Sequence, residues 1–298
     1  MMRRILAALL ALCLIGIPGA LATSDQAAIP ADPQRVVDLT GYSDVLYVMG
    51  LNVVGTANAR ANDTTRLPAY METALAGAKV LGSSYQVYFD IEAIRALQPD
   101  LILIGPQHEA IRPQLQEIAT TVTVHLNRRS WKADMLSLGE LFSRRTVVAT
   151  WLDNYATKCA TLGESIKRVQ GESFRCLALM ISGGQLYAFV DAGLGGLLYN
   201  DLGLGRPIGM SDRMGINMTN VSYAQLANLA MDYLFVIGSD AELKELRGAE
   251  DWLKLPVVRS KHVKELSTEP YLGMGYSCLG ADALASEIAT MLHARSGD

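Results

Sequence analysis

The chain has 298 residues, half of them hydrophobic and 19% charged. That is enough for two compact globular domains and too apolar for a disordered chain. A net charge of −4 leaves no basic field for nucleic acid.

Arg3 and Arg4 precede an apolar run over residues 5–17, broken at Pro18-Gly19 and followed by Ala20-Leu21-Ala22. This is the pattern of a secretory signal peptide over residues 1–22, cleaved after Ala22, and it sends the chain to the periplasm. The run is short for a membrane span. Cys13 follows Leu12 where a lipid-anchor signal wants a small residue, so no anchor is expected. The mature chain keeps Cys159, Cys176 and Cys278. Three cysteines allow at most one internal disulfide, and core thiols are the simpler reading.

After a polar leader with Pro30 and Pro33, residues 35–39 read as a strand and residues 43–50 as a helix stopped by Gly50. Residues 53–55 read as a second strand, and residues 56–68 as a polar loop holding Asn58, Arg60 and Arg66. The stretch at 90–105, DIEAIRALQPDLILIG, is the clearest unit. Ile91, Ile94 and Leu97 share one helical face. Pro99 biases Gln98 out of the helical region and closes the helix. Leu101 to Ile104 are apolar on both alternating faces, as in a parallel strand buried on both sides. Residues 111–118 read as helix, residues 122–126 as strand and residues 127–131 as a polar turn.

From Trp131 to Val169 the pattern is helical only. Val148, Leu152, Tyr155, Cys159, Leu162, Ile166 and Val169 recur at three- and four-residue steps, with Gly163 the weak spot. Gly171 ends this connector. Residues 174–181 and 186–190 read as strands around a Gly183-Gly184 turn. DAGLGG at 191–196 lacks the form of a phosphate loop. Residues 210–220 read as a polar loop, and residues 222–237, SYAQLANLAMDYLFVI, repeat the unit at 90–105 with Asp232 on Asp100. A second echo sets residues 196–209 on 43–55, helix then short strand. Ser239-Asp240 opens a helix, residues 263–266 are an edge strand, 268–280 a loop and 281–293 a final helix.

The expected organisation is an N-terminal α/β lobe over 23–130, a connecting helical segment over 131–170 and a C-terminal α/β lobe over 171–298. No catalytic constellation stands out. His108, His125, His262 and His293 show no metal-ligand spacing, and no serine or cysteine sits in a nucleophile motif. Ligands of open α/β sheets bind at the carboxyl ends of strands. The loops there hold Tyr42, Tyr85, Tyr88, Gln107, His108, Arg128, Trp131, Arg213, Tyr271 and Tyr276. Tyrosines with a few cations suit a large, partly aromatic, anionic ligand, and a phenolate can ligate iron.

The start PQRVVDL with LYVMGLNVVGTA, the unit IEAIRALQPDLILIG, the stretch IATTVTVHLNRRSW, the export signal and the long helix together resemble one family. It is the helical-backbone (class III) periplasmic substrate-binding proteins of ABC importers, which serve iron-siderophores, haem and cobalamin. The resemblance covers the mature chain and is stronger in the first lobe. It implies an α/β fold: two Rossmann-like lobes with parallel-type central sheets, joined by a long rigid α-helix. It implies a monomeric binding protein, not an enzyme, with no cofactor. The cargo would be a ferric siderophore, alternatively haem or cobalamin, handed to a membrane permease. Tyr85, Tyr88, Gln107, His108, Arg128, Trp131, Arg213 and Tyr271 become ligand-contact candidates, with Tyr271 in EPYLGMG a possible iron ligand. Tyr85, Tyr88 or Tyr271 could serve as axial ligand to haem. Glu92 matches the first-lobe acid that docks on the permease, while its second-lobe counterpart falls on Ala224. Pro106, Leu194 and Ser239 stand where a catecholate-binding branch has basic residues, and Met214 stands near the place of a histidine that binds iron in some members. This pattern favours a less anionic chelate, or a site rebuilt from Arg213 and Arg128. A secreted α/β enzyme and a binding protein turned sensor are the readings outside transport.

Overall fold

The computed structural model describes residues 29–60, 63–127, 130–210 and 217–293. The expected signal peptide, Arg128, Arg213 and Met214 lie outside the described residues. The first sheet draws on β1 (Val36–Asp38), β2 (Val53–Thr56), β3 (Lys79–Val80), β4 (Leu101–Ile104) and β5 (Thr120–Thr123). They run parallel in the order β3-β2-β1-β4-β5. Between them lie α1 (Ser43–Val48), α2 (Ala69–Glu72), α3 (Ile91–Arg95) and a 3-10 stretch (Pro106–Ile111) leading into α4 (Arg112–Gln116). The order reverses between β1 and β4, which makes that edge of the sheet a switch point.

β4 shows why an unbroken apolar strand belongs here. All four residues are fully buried. Leu101 and Leu103 pack with Val45 and Leu46 of α1, while Ile102 and Ile104 pack with Ile94 of α3 and Leu115 of α4. Both faces are covered, so neither can be polar. α3 starts at Asp90, whose side chain accepts from the Ala93 amide at 3.0 Å. The chain leaves it through Gln98, at φ +47°, directly before Pro99.

α5 (Trp131–Leu141) and α6 (Arg145–Gln170) follow. The 26 residues of α6 make a rod of roughly 40 Å. Its buried stripe is Val148, Tyr155, Cys159, Gly163 and Ile166. Gly163, the weak spot by propensity, is where the rod touches its neighbour: a Cβ there would lie 1.9 Å from the Leu202 carbonyl oxygen.

The second sheet holds β6 (Cys176–Ser182) and β7 (Gln185–Phe189), joined by Gly183-Gly184 with φ of +57° and +73°. Two positive φ values make the tight turn that only such residues allow cheaply. Next come α7 (Gly193–Gly196), widening into a π-helical turn over Leu197–Asp201, then β8 (Met218–Val221), α8 (Tyr223–Ala227) and β9 (Tyr233–Gly238). α9 (Asp240–Gly248), α10 (Glu250–Lys254), α11 (Pro256–Arg259), β10 (Val263–Ser267), α12 (Thr268–Met274) and α13 (Cys278–His293) complete the chain. The order is β10-β9-β6-β7-β8, with β10, β9 and β6 parallel and β7 and β8 antiparallel.

The repeat of the 90–105 unit is physical. Asp100 sits before β4 and accepts from the Arg35 amide at 2.9 Å. Asp232 sits before β9 and accepts from the Arg175 amide at 2.8 Å. Each aspartate thus clips its strand to the start of the neighbouring parallel strand. The second echo is only half present. The helix at 193–201 stops at Gly203, but no strand follows at residues 204–209, where Gly205 and Ile208 make isolated bridges. β8 lies instead within the expected polar loop, and the expected loop at 268–280 contains α12. The disulfide question closes: Cys159, Cys176 and Cys278 are free and buried. Burial pushes the Cys159 thiol up to about 11.

The C-terminal helix ties the halves together. Asp44 of α1 accepts from the Ser277 hydroxyl at 2.6 Å and from the Cys278 amide at 2.9 Å. A buried carboxylate therefore caps the first turn of α13 from the other lobe. Cys278 packs in the first-lobe core, while Leu284, Ile288 and Leu292 pack in the second.

Candidate functional site

A cleft of about 1420 Å³ is walled by both lobes. On the first-lobe side its lining comes from the loops after β1, β2 and β3: Thr40 to Tyr42, Asn58 to Arg60, and Ser83 to Tyr85. Asp38 builds the first of these. Its carboxylate, fully buried, accepts from the Thr40 amide at 2.9 Å, the Tyr42 amide at 3.0 Å and the Ser43 hydroxyl at 2.6 Å. Burial raises its carboxyl above the ordinary range, and these hydrogen bonds oppose the rise. The Tyr42 hydroxyl donates to buried Asp134 at 2.5 Å, fixing the loop against α5.

On the second-lobe side the lining includes Gly238 to Asp240 after β9, Ser267 to Glu269 after β10, Asp191 to Gly193, and Tyr276. The glycine run at 191–196 works by close approach. A Cβ on Gly193 would meet the Tyr276 hydroxyl at 2.8 Å and its ring at 2.9 Å, and one on Gly195 would meet the Phe189 backbone at 2.8 Å. The run lets α7 settle on β7 and lets Tyr276 pack against Gly193 on the cleft wall.

Where α5 meets the second lobe, Trp131 lines the cleft and packs edge-on against Trp151 (6.1 Å) and Tyr155 (5.4 Å). Trp151 and Tyr155 are stacked at 5.6 Å. Lys132, over the rings of both Trp131 and Tyr155, forms an ion pair with Asp201 at the end of the π-helical turn. Tyr155 donates to the same carboxylate at 2.7 Å. Burial and Asp201 hold its phenol far above the ordinary range.

Of the expected contact residues, the structure brings Tyr85 and Trp131 to the cleft. It does not bring Tyr88, Gln107, His108 or Tyr271 among the lining residues. His108 has no exposed surface. Its Nδ1 accepts from the Gly105 amide at 3.1 Å, so Nε2–H donates to the Gln86 carbonyl at 3.1 Å. The ring clamps the Tyr85 loop to the exit of β4. Gln107 donates to the Ser84 carbonyl at 3.0 Å and props the same loop from outside. Tyr88 is exposed but off the wall. Tyr271 is half-buried, and burial with the nearby Glu287 carboxylate raises its phenol above the ordinary range. Arg128 and Arg213 fall outside the described residues.

Reading the sequence alone missed Arg60, Lys132, Asn200, Asp201 and Glu269 as lining residues. Arg60 was visible as a cation in a polar loop after a strand. Glu269 was hidden in a segment read as loop. Among the described residues no helix is long and apolar enough to cross a membrane, and no group of His, Cys, Asp and Glu could hold a metal ion.

The family model described as "Periplasmic binding protein" matches residues 39–270. No curated protein matches the chain. Among solved structures, a FhuD-fold periplasmic binding component of a Fep/Fec-like ferrichrome ABC transporter from Bacillus subtilis is 22% identical, with a TM-score of 0.74 over 89% of this chain and 96% of that one. FhuD2 from Staphylococcus aureus with bound ferrioxamine B is 20% identical, with a TM-score of 0.67 over 88% and 98%. SirA from the same organism, complexed with staphyloferrin B, is 21% identical, with a TM-score of 0.67 over 88% and 93%. With two α/β lobes, one connecting helix and a family match over most of its length, the chain belongs to the periplasmic binding proteins, in the helical-backbone class that serves ABC importers.

Proposed function

We propose that this protein captures a ferric-siderophore-type chelate between its lobes and delivers it, chemically unchanged, to an ABC importer permease. The observation that carries the reading is the cleft: both lobes wall it, and Tyr85, Trp131 and Tyr276 give it aromatic surface. Aromatic faces with polar tips suit the flat, partly apolar backbone of a chelate. Ferrioxamine B and staphyloferrin B, held by proteins of the same fold, support that ligand class. Glu92, exposed on α3, serves as the first-lobe docking acid.

The test is a titration of tryptophan fluorescence with ferric siderophores, haem and cobalamin. Ferric chelates should quench at micromolar concentration or below, and Trp131→Phe should remove most of the signal. Trp252, buried in the second-lobe core away from the cleft lining, should contribute little. Binding of haem or cobalamin alone would replace the reading with that ligand. Binding of nothing in the panel would end it.

A further inference from the structure

Two carboxylates join the lobes, one from each side. Asp44 of α1 holds the Ser277 hydroxyl and the Cys278 amide at the start of α13. Asp201, in the second lobe, holds Lys132 of α5 and the Tyr155 hydroxyl. α5 belongs to the first-lobe core through Met135 and Leu138, whereas the turn bearing Asp201 belongs to the second through Leu197, Leu198 and Leu202. The rod passes from one core to the other between Val148 and Tyr155. The Lys132–Asp201 pair therefore bridges the lobes where the rod crosses over.

The two ties differ in exposure. Asp44, Ser277 and Cys278 are all buried. Lys132 and Asp201 line the cleft, and the Lys132 side chain is 37% exposed. Water reaches that pair, which makes it the tie that opens more readily.

The local fold is built to aim Asp201. A π turn carries one residue more than an α turn, which re-aims the residues after it by about 100°. The Leu202 carbonyl seats against Gly163, so the turn is braced on the rod from behind. The Asp201 carboxylate is only 8% exposed, and a carboxylate so buried needs its donors. Those donors carry the aromatic group: Lys132 lies 5.4 Å from the Trp131 ring and 5.2 Å from the Tyr155 ring.

We infer that Asp201 is a positioning residue for ligand capture: by holding Lys132 and Tyr155 it latches the lobes beside the cleft and sets the spacing of the two walls, with the Asp44 cap of α13 as the pivot. Without the latch the walls spread over a range of spacings, and only the molecules at the right spacing bind. The spacing itself stands apart from the siderophore reading; its effect on affinity rests on that reading.

The experiment is double electron–electron resonance between nitroxides attached at Gln114→Cys in the first lobe and Glu245→Cys in the second. Both positions are exposed, and Cys159, Cys176 and Cys278 are buried away from the label. Ligand-free protein with the pair intact should give one narrow distance distribution. Lys132→Met, which keeps a stem over the rings, and Asp201→Asn should each broaden it. Lys132→Arg, which keeps the pair, should keep the narrow width. Ferrioxamine B should bind Lys132→Met and Asp201→Asn about fivefold more weakly, as when one molecule in five holds the right spacing, and should narrow the distribution again. Unchanged distributions in both variants overturn the inference, since the rod and the α13 cap would then set the spacing alone. Weaker binding with unchanged distributions also overturns it, since the pair would then act by touching the ligand. If ferrioxamine B fails to bind the intact protein, the ligand class is at fault, and the ligand-free distributions still decide the latch.

Discussion

At the scale of single residues, buried polar side chains shape this cleft from behind. Asp38, Asp134 and His108 contact no ligand space, yet they set the loops that present Thr40 to Tyr42 and Tyr85. The same scale carries the docking question. Glu92 is exposed on α3, with only a loose 3.3 Å partner in Arg95. The matching place on α8 is exposed Ala224. Surface ion pairs of that kind hold a side chain weakly, so Glu92 is available to a permease. Glu92→Ala should lower uptake several-fold in cells while ligand affinity in vitro stays unchanged. A parallel loss of affinity would place Glu92 in folding or binding instead. The sequence allowed Tyr85 and Trp131 to be named because both fall in loops expected at strand exits, where ligands of open α/β sheets bind. It could not separate them from Tyr88 or His108. Direction is decided by loop backbone and by hydrogen bonds such as Gly105 to His108, which composition does not encode.

At the scale of elements, the long helix was legible because a stripe sustained over many turns has no competing reading. Gly163 carries the opposite of its apparent meaning. Propensity favours Ala there by up to about 1 kcal/mol. The contact with the Leu202 carbonyl leaves no room for a Cβ, and forcing one in costs about 1–3 kcal/mol. The contact should win, so Gly163→Ala should lower the melting temperature. A rise in melting temperature would mean that the rod and the π-helical turn do not touch. The doubled αβ unit was legible through Asp100 and Asp232, since each must clip a buried strand to its neighbour. The second echo failed beyond its helix because residues 204–209 find only isolated bridges, not a strand partner. β8 escaped notice because its sequence, Met-Thr-Asn-Val, sits half-exposed at a sheet edge and shows no apolar run. α12 escaped because Pro270, Gly273 and Gly275 look like a loop.

At the scale of the whole molecule, the two lobes are joined by more than the rod. Asp44 caps α13 across the lobes, Lys132 pairs with Asp201, and the aromatic group of Trp131, Trp151 and Tyr155 lies at the same junction. Several independent ties favour a cleft that is largely formed before its ligand arrives. A ligand seated in such a cleft touches both walls at once. Hydrogen exchange with and without a bound ferric chelate tests this most directly. Protection should rise together in the first-lobe loops at residues 40–42, 57–60 and 83–85 and in the second-lobe segment at residues 267–277. Protection confined to one lobe, or to surfaces outside the cleft, would contradict it.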